Sequence, residues 1–521
     1  MKTHFLHKSA FSLLFFVMLF NQGVSQPILN YEAFFEDPEH HYVEVRLNIE
    51  NVTSKKTSLI LPVWSPGYYE ILDFPKNIVD FKVVNNNHQE LNWYKIAKNK
   101  WVVDNQDSKT FSVSYRYFAN QKSVAESNID NERAFIMPNN IFMHVENELN
   151  VPVNLKITPY KIWKTISTGL QKTGNNTFFA KTIDILYDSP IYIGNPHVFN
   201  FEYNNIPFSV AIAKPEGLDE SKFRNDLKKI VDATTDLMHD IPFENYSFIL
   251  MEEGGGGLEH WNSQAVFTSG SFYFEHESHY TDFLNFITHE YFHLYNVKAI
   301  RPVELGPFNY SKENYTNMLW VSEGLTVYYE YIIMMRAGLL DKKSAFNYFT
   351  NSIKRYENIE GKNHMSLARS SFDIWLNFFN HNVNAEETTI SYYNKGPIIG
   401  LLMDLEIRNN TNNKKSLDDV MRFLYNEYYL KQNRGFKEEE FWDVCKSISG
   451  SGFDDIKEYV YTVKDIDYQK YFDYAGLNID LTPLSDASVK EELVKRVFTI
   501  TEKEKITLLQ RAIRDSVFIK D

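Results

Sequence analysis

Two histidines four residues apart, with a glutamate directly after the first, stand in THEYFHLYNVKAIRP at 288–302. Positions i and i+4 of a helix share a face, so His289 and His293 can offer two imidazole nitrogens to one tetrahedral zinc ion, while Glu290 projects from the adjacent edge toward a water. The flanks DFLNFIT and YFHLYNV are apolar enough to bury such a helix, and a buried histidine pair without a metal would need other partners. A catalytic zinc takes a third protein ligand and keeps one position open. In LWVSEGLTVYYEYIIMM at 319–335, Glu323 sits in an otherwise apolar helix, where an unpaired carboxylate would be costly and a cation would offset the cost. Glu330, on the same helix, competes for that place.

Two further stretches carry candidate chemistry. MEEGGGGLEHWNSQ follows the strand-like YSFILM, and its glycines, Gly256 and Gly257 among them, let backbone approach a ligand closely, with Glu259 and His260 just past the turn. SYYNKGPIIGLLMDLEI opens a helix with Tyr393 near its N-terminus, from which a phenol can reach an oxyanion.

The elements that must position these residues follow from periodicity. From about 27 to 213 the pattern alternates: in YVEVRLNIEN, Val43, Val45, Leu47 and Ile49 face one way and Glu44, Arg46, Asn48 and Glu50 the other. This predicts an antiparallel β domain over 26–213 with one solvated face. From about 218 the period lengthens, and ESKFRNDLKKIVDATTDLM puts Phe223, Leu227, Ile230, Val231, Thr234, Leu237 and Met238 on one helical stripe. After one short strand the second domain, 214–480, reads as mostly helical, with helices at 281–297, 319–337, 342–357, 394–409, 416–429 and 436–448. The fold class is α+β. The remaining segment, 481–521, reads as a charged helical tail.

Composition narrows the function. With 43% hydrophobic and 23% charged residues over 521 positions, the chain can bury a large core in two or three domains. Its net charge of −14 and dispersed basic residues exclude an electrostatic grip on nucleic acid. The first 25 residues carry Lys2 and Lys8, an apolar run from Ala10 to Phe20 and a small-residue site ending at Ser25, the pattern of a cleaved secretory signal, with a mature chain starting near Gln26. The run has about half the roughly 20 apolar residues of a spanning helix, so no stable membrane span is expected and the product is expected to be secreted or periplasmic. Cys445, the single cysteine, lies in a helical pattern as a buried apolar residue and can form no intrachain disulfide.

Taken in order, the glycine-rich Gly-Gly-Leu-Glu-His segment, the two-histidine helix, the downstream glutamate and YYNKG resemble the glycyl aminopeptidase family of gluzincin zinc metallopeptidases. LILPVWSPGYYEILDFPKNIVDF at 59–81 is similar to that family's N-terminal β domain. The resemblance implies a thermolysin-like catalytic domain, a peptide substrate with glycine or another small N-terminal residue, zinc held by His289, His293 and Glu323, and Glu290 as general base. It further implies Glu259 as the group that recognises the substrate's α-amine, and Tyr393 as an oxyanion stabiliser. Tyr295 and Ala299 depart from the family, which usually has tryptophan and a second basic residue there. Many relatives continue into a PDZ domain, for which the roughly 40 residues after Asp480 are too few. Two rivals keep the same motif. A zinc endopeptidase would not need a carboxylate for the α-amine, and a non-catalytic peptide-binding protein would not need Glu290.

Overall fold

The computed structural model describes residues 26–268, 272–377, 384–481 and 498–518. The expected signal segment lies outside these residues. Among them, no helix is long and apolar enough to cross a membrane.

The alternating N-terminal pattern builds a seven-stranded sheet. Strand Ile28–Phe34 lies inside it, antiparallel to Tyr42–Glu50 with Leu29 opposite Ile49 and Tyr31 opposite Leu47, and parallel to Val153–Thr158. The inward set Val43, Val45, Leu47 and Ile49 is fully buried, because the period of two sends every second side chain to the core face. Two four-stranded sheets, one built around Lys56–Ile60 and Lys100–Asp104 and the other around Ala134–Ile136 and Ile191–Gly194, share the same core through Leu59, Trp101, Ile136 and Ile193.

The boundary expected at 213 falls instead near 196. Strands His197–Tyr203 and Ile206–Ile212 form a hairpin whose second strand pairs in parallel with Tyr246–Glu252, so they belong to a five-stranded sheet of the second domain. Asn204 and Asn205 make the two-residue turn, both with positive φ, as the twist of a tight hairpin requires. Ser263–Thr268 continues the sheet in parallel and Gly257–His260 closes it antiparallel. The second domain therefore carries a five-stranded sheet, among the described residues, where one short strand was expected. Alternation alone cannot tell which of two neighbouring sheets a strand will join.

Helix Glu220–Met238 starts at Asp219, whose carboxylate accepts from the Lys222 amide, and lays its apolar stripe on this sheet's core. Helix Glu277–Phe292 carries the histidine motif, and it ends earlier than the expected 297. His293 caps it, and its carbonyl then accepts from the amides of both Val297 and Lys298. The helix expected from 319 begins with a π turn over Trp320–Gly324 and continues as Leu325–Arg336. Cys445 is buried on helix Glu438–Ser449. In the tail, Thr499–Glu502 is a strand paired with Leu477–Asp480 rather than helix, and Leu508–Phe518 is a helix that buries Ile513, Val517 and Phe518.

Helix Tyr392–Asn410, capped by Ser391, packs on the π turn so closely that backbone meets backbone. A Cβ on Gly324 would stand 2.6 Å from the Gly396 Cα and 3.0 Å from the Tyr392 carbonyl oxygen. Only glycine on both sides permits this approach, which brings Glu323 and Tyr393 together. Gly396→Ala is therefore expected to cost about 1–3 kcal/mol through overpacking. Chemical denaturation of the purified variant measures it, and an unchanged midpoint would show that the contact can yield.

Candidate active site

The histidine rings turn their Nε2 atoms to a common point, 3.0 Å apart. Glu323 Oε2 lies 3.3 Å from His293 Nε2 and 3.7 Å from His289 Nε2. All three side chains are more than nine-tenths buried. The far side of each ring is also fixed. Glu330 Oε2 stands 2.7 Å from His289 Nδ1, and its other oxygen accepts from Asn285 Nδ2 at 2.7 Å. The Asn296 carbonyl oxygen lies 2.7 Å from His293 Nδ1. The competition between the two glutamates is thus resolved by position: Glu323 faces the Nε2 atoms, whereas Glu330 sits behind His289 and fixes its ring. Asn296 also donates to the Val321 carbonyl at 2.7 Å, tying the turn after the histidine helix to the π turn that carries Glu323.

The electrostatics favour a cation at this point. Burial would lower both imidazoles, but Glu323 and Glu330 outweigh it at His289, and Glu323 does so at His293, so both are raised above the ordinary histidine range. Burial would raise the Glu323 carboxyl, and the two histidines pull it down to about 2. Two Nε2 atoms and one carboxylate oxygen, mutually within 4.8 Å and oriented by outer partners, fit a zinc ion with a position left open.

Glu290 is buried beside them. Burial pushes its carboxyl up to about 7, against the pull of His289 and His293, a range suited to exchanging protons near neutrality. Gly257, on the edge strand, lies against this carboxylate: a Cβ there would come within 2.6 Å of the Glu290 Cδ. The close backbone approach expected of the glycine run is therefore made to Glu290. Gly256, with φ of +91°, shapes the same wall.

Glu259, one turn of strand further on, is buried, and among the described residues no donor hydrogen-bonds its carboxylate. One oxygen each of Glu259 and Glu290 and a ring nitrogen of His293 lie within 4.8 Å of one another. Tyr393 is half-buried with its ring centroid 6.3 Å from that of His289, and burial together with Glu323 holds its phenol protonated. His260 turns away from the site, its Nδ1 on Asp188.

One pocket of about 360 Å³ brings together His289, His293, Glu323, Glu290, Glu259 and Tyr393, with Gly256 and Gly257, and leaves out His260 and Glu330. The N-terminal domain supplies the rest of its wall through Gly67, Tyr68 and Val124. Both Glu259 oxygens lie 2.8 Å from where a Cβ of Gly67 would stand, and Gly67 has φ of +87°. The sequence reading assigned no site residue to that domain. The SPGYY turn was the available signal, since a glycine confined to positive φ marks a place where backbone meets something.

A sheet flanked by a helix bearing the two-histidine motif, with a glutamate ligand position on the next helix, defines a metallopeptidase. Family models agree over most of the chain: the peptidase M61 N-terminal domain matches residues 30–195 and the M61 glycyl aminopeptidase model matches residues 282–399. The chain belongs to the M61 glycyl aminopeptidase family and is a metallo-aminopeptidase. Among solved structures it is similar to an aminopeptidase N family protein from Idiomarina loihiensis, at 28% identity and a TM-score of 0.83 over 89% of this chain and 82% of that one. The fold also resembles an M1 zinc metallopeptidase from Deinococcus radiodurans, at 12% identity and a TM-score of 0.51, covering 85% of this chain and 95% of the other. Aminopeptidase A of Legionella pneumophila, in complex with aspartic acid, shares it at 12% identity and a TM-score of 0.53, over 95% of this chain and 59% of that one. No curated protein matches.

Glu330→Gln tests the outer partner of His289. The amide keeps the volume but loses the charge that fixes the ring, so zinc affinity is expected to fall about 10–100-fold. Competition with a chromophoric chelator reads this directly, and an unchanged affinity would make Glu330 a packing residue.

Proposed function

We propose that this metallo-aminopeptidase, after export, removes glycine or another small residue from the free N-terminus of peptides. The observation that carries the reading is the Glu259 carboxylate, buried without a hydrogen-bond donor, backed by the Gly67 backbone and facing the same pocket as the histidines. A carboxylate in that state gains most from a charged amine, which supplies the missing hydrogen bonds. Its nearness to His293 supports attack at the first peptide bond rather than at a later one. Tyr68, Val124 and Leu258 wall the space beside the amine, which supports a small first side chain. A second groove of about 500 Å³ shares His289 and Tyr393 with this pocket and is lined further by Glu330, Tyr331, Tyr348 and Arg355, which supports room for the rest of a peptide.

In this reading His289, His293 and Glu323 hold zinc, which when bound supplies Lewis-acid polarisation of a water and of the scissile carbonyl. Glu290 accepts the proton of the attacking water and returns it to the departing amine. Tyr393 donates a hydrogen bond to the carbonyl oxygen as charge develops on it. Glu259 orients the N-terminus throughout. No covalent intermediate with the protein is needed. An internal cleavage activity would leave the buried Glu259 carboxylate without a use, and a binding role would leave Glu290 without one.

Three outcomes are expected. Glu290→Gln keeps zinc, measured by metal analysis, and loses turnover, because an amide cannot accept the proton; loss of metal would count against the role. Glu259→Gln lowers rates on free N-termini far more than it lowers zinc content, and narrows the preference for free over N-acetylated peptides. An unchanged ratio of the two rates would reject the amine anchor. Export rests on residues 1–25, and N-terminal sequencing of the protein from its native envelope is expected to begin near Gln26; a retained Met1 would reject it.

A further inference from the structure

Behind the Glu259 carboxylate stands a buried cation that could close the amine site by itself. Lys298 Nζ lies 4.0 Å from Glu259 Oε1, too far for a hydrogen bond, and 2.8 Å from Asp188 Oδ1. Its side chain is only 9% exposed and that of Glu259 only 6%. In such a setting a lysine ammonium would close from ion-pair distance to a direct hydrogen bond with this carboxylate unless something held it back. Asp188 comes from the N-terminal domain, at the end of helix Ile183–Tyr187, and it is itself pinned. Its Oδ1 lies 3.0 Å from His260 Nδ1, and its Oδ2 accepts from the Trp261 amide at 2.9 Å. Both of those partners directly follow Glu259 in the chain, so the same short segment fixes the anchor and the residue that restrains its competitor.

We propose that Asp188 is a positioning residue that tethers Lys298 away from Glu259, so that the Glu259 carboxylate stays available for the substrate's α-ammonium. The inference rests on the amine-anchor reading above. Lys298 and the incoming amine carry the same charge and seek the same oxygens. The 2.8 Å and 4.0 Å distances show which carboxylate the lysine is bonded to in the absence of substrate. Burial would raise the Asp188 carboxyl, but Lys298 and His260 hold it down at about 2, so the tether carries its charge at any pH the enzyme meets. Lys298 was legible in the sequence only as part of a basic segment after the histidines, because its partner lies 110 positions earlier in another domain.

The test is a double-mutant cycle on the full-length, zinc-loaded enzyme, with a glycyl peptide and its N-acetylated form as substrates. Asp188→Asn keeps an acceptor for the Trp261 amide but weakens the hold on Lys298. It is expected to raise KM for the free peptide about tenfold or more while changing kcat little, because the freed lysine competes with the substrate amine before chemistry begins. Adding Lys298→Met to that variant removes the competitor and is expected to bring KM back to within about threefold of the parent. A merely structural role predicts the opposite, a double variant as impaired as Asp188→Asn or worse, and that result overturns the inference. So does an Asp188→Asn enzyme with unchanged KM. Should Asp188→Asn fail to fold, the double variant alone decides: a near-parental KM supports the tether and a raised KM rejects it. If Glu259→Gln leaves the free-to-acetylated rate ratio unchanged, the amine anchor itself has failed. A narrowed ratio there, with no rescue in the double variant, removes only the tether.

Discussion

Charge kept out of water is the constraint on which this structure turns. His289, His293, Glu290, Glu323, Glu330 and Glu259 are all buried within one small region. A carboxylate taken from water without compensation costs several kcal/mol, so the surrounding protein must offset that cost at the centre, while Glu259 is left without a hydrogen-bond donor among the described residues. The protein does so by pairing imidazole with carboxylate at the centre and by fixing each outer edge with Glu330, Asn285 and Asn296. The arrangement then has the net negative character that a divalent cation satisfies. Elements with no chemistry of their own, such as the π turn at Trp320–Gly324, are explained by the need to aim a carboxylate at this point.

The second consequence is that neither domain makes the pocket alone. Gly257 of the second domain lets Glu290 approach backbone, while Gly67 of the first domain does the same for Glu259 and forms the opposing wall with Tyr68 and Val124. Buried polar contacts also cross the boundary: Arg133 donates to Glu252 at 3.0 Å at the foot of the glycine run, and Asp188 reaches Lys298. A mainly β domain that looks like a support is, at its edge, part of the pocket wall.

These facts explain which parts were readable from residues alone. The histidine motif is local, since helical spacing alone puts His289 and His293 on one face, and the apolar setting of Glu323 marked it before any geometry was known. The α+β division was visible in the change of period near residue 218. The hairpin at 197–212 was placed in the wrong sheet, because a strand's own alternation is indifferent to its partner. Glu330 could not be separated from Glu323 by sequence, since both lie on the same apolar stretch and only the ring of His289 between them distinguishes front from back. Gly67 and Asp188 precede the glycine run by more than 60 residues, and no periodicity carries information over that distance.

The contact between Gly324 and Gly396 also says where this enzyme can and cannot flex. Two side chains in contact can change rotamer and give way gradually, whereas two backbones at van der Waals distance have no such freedom and behave as a hard stop. The carboxylate of Glu323 and the phenol of Tyr393 are therefore carried on what is mechanically a single body, and their separation is insensitive to small strains elsewhere. A peptide that enters the pocket therefore meets Glu323 and Tyr393 at a fixed spacing.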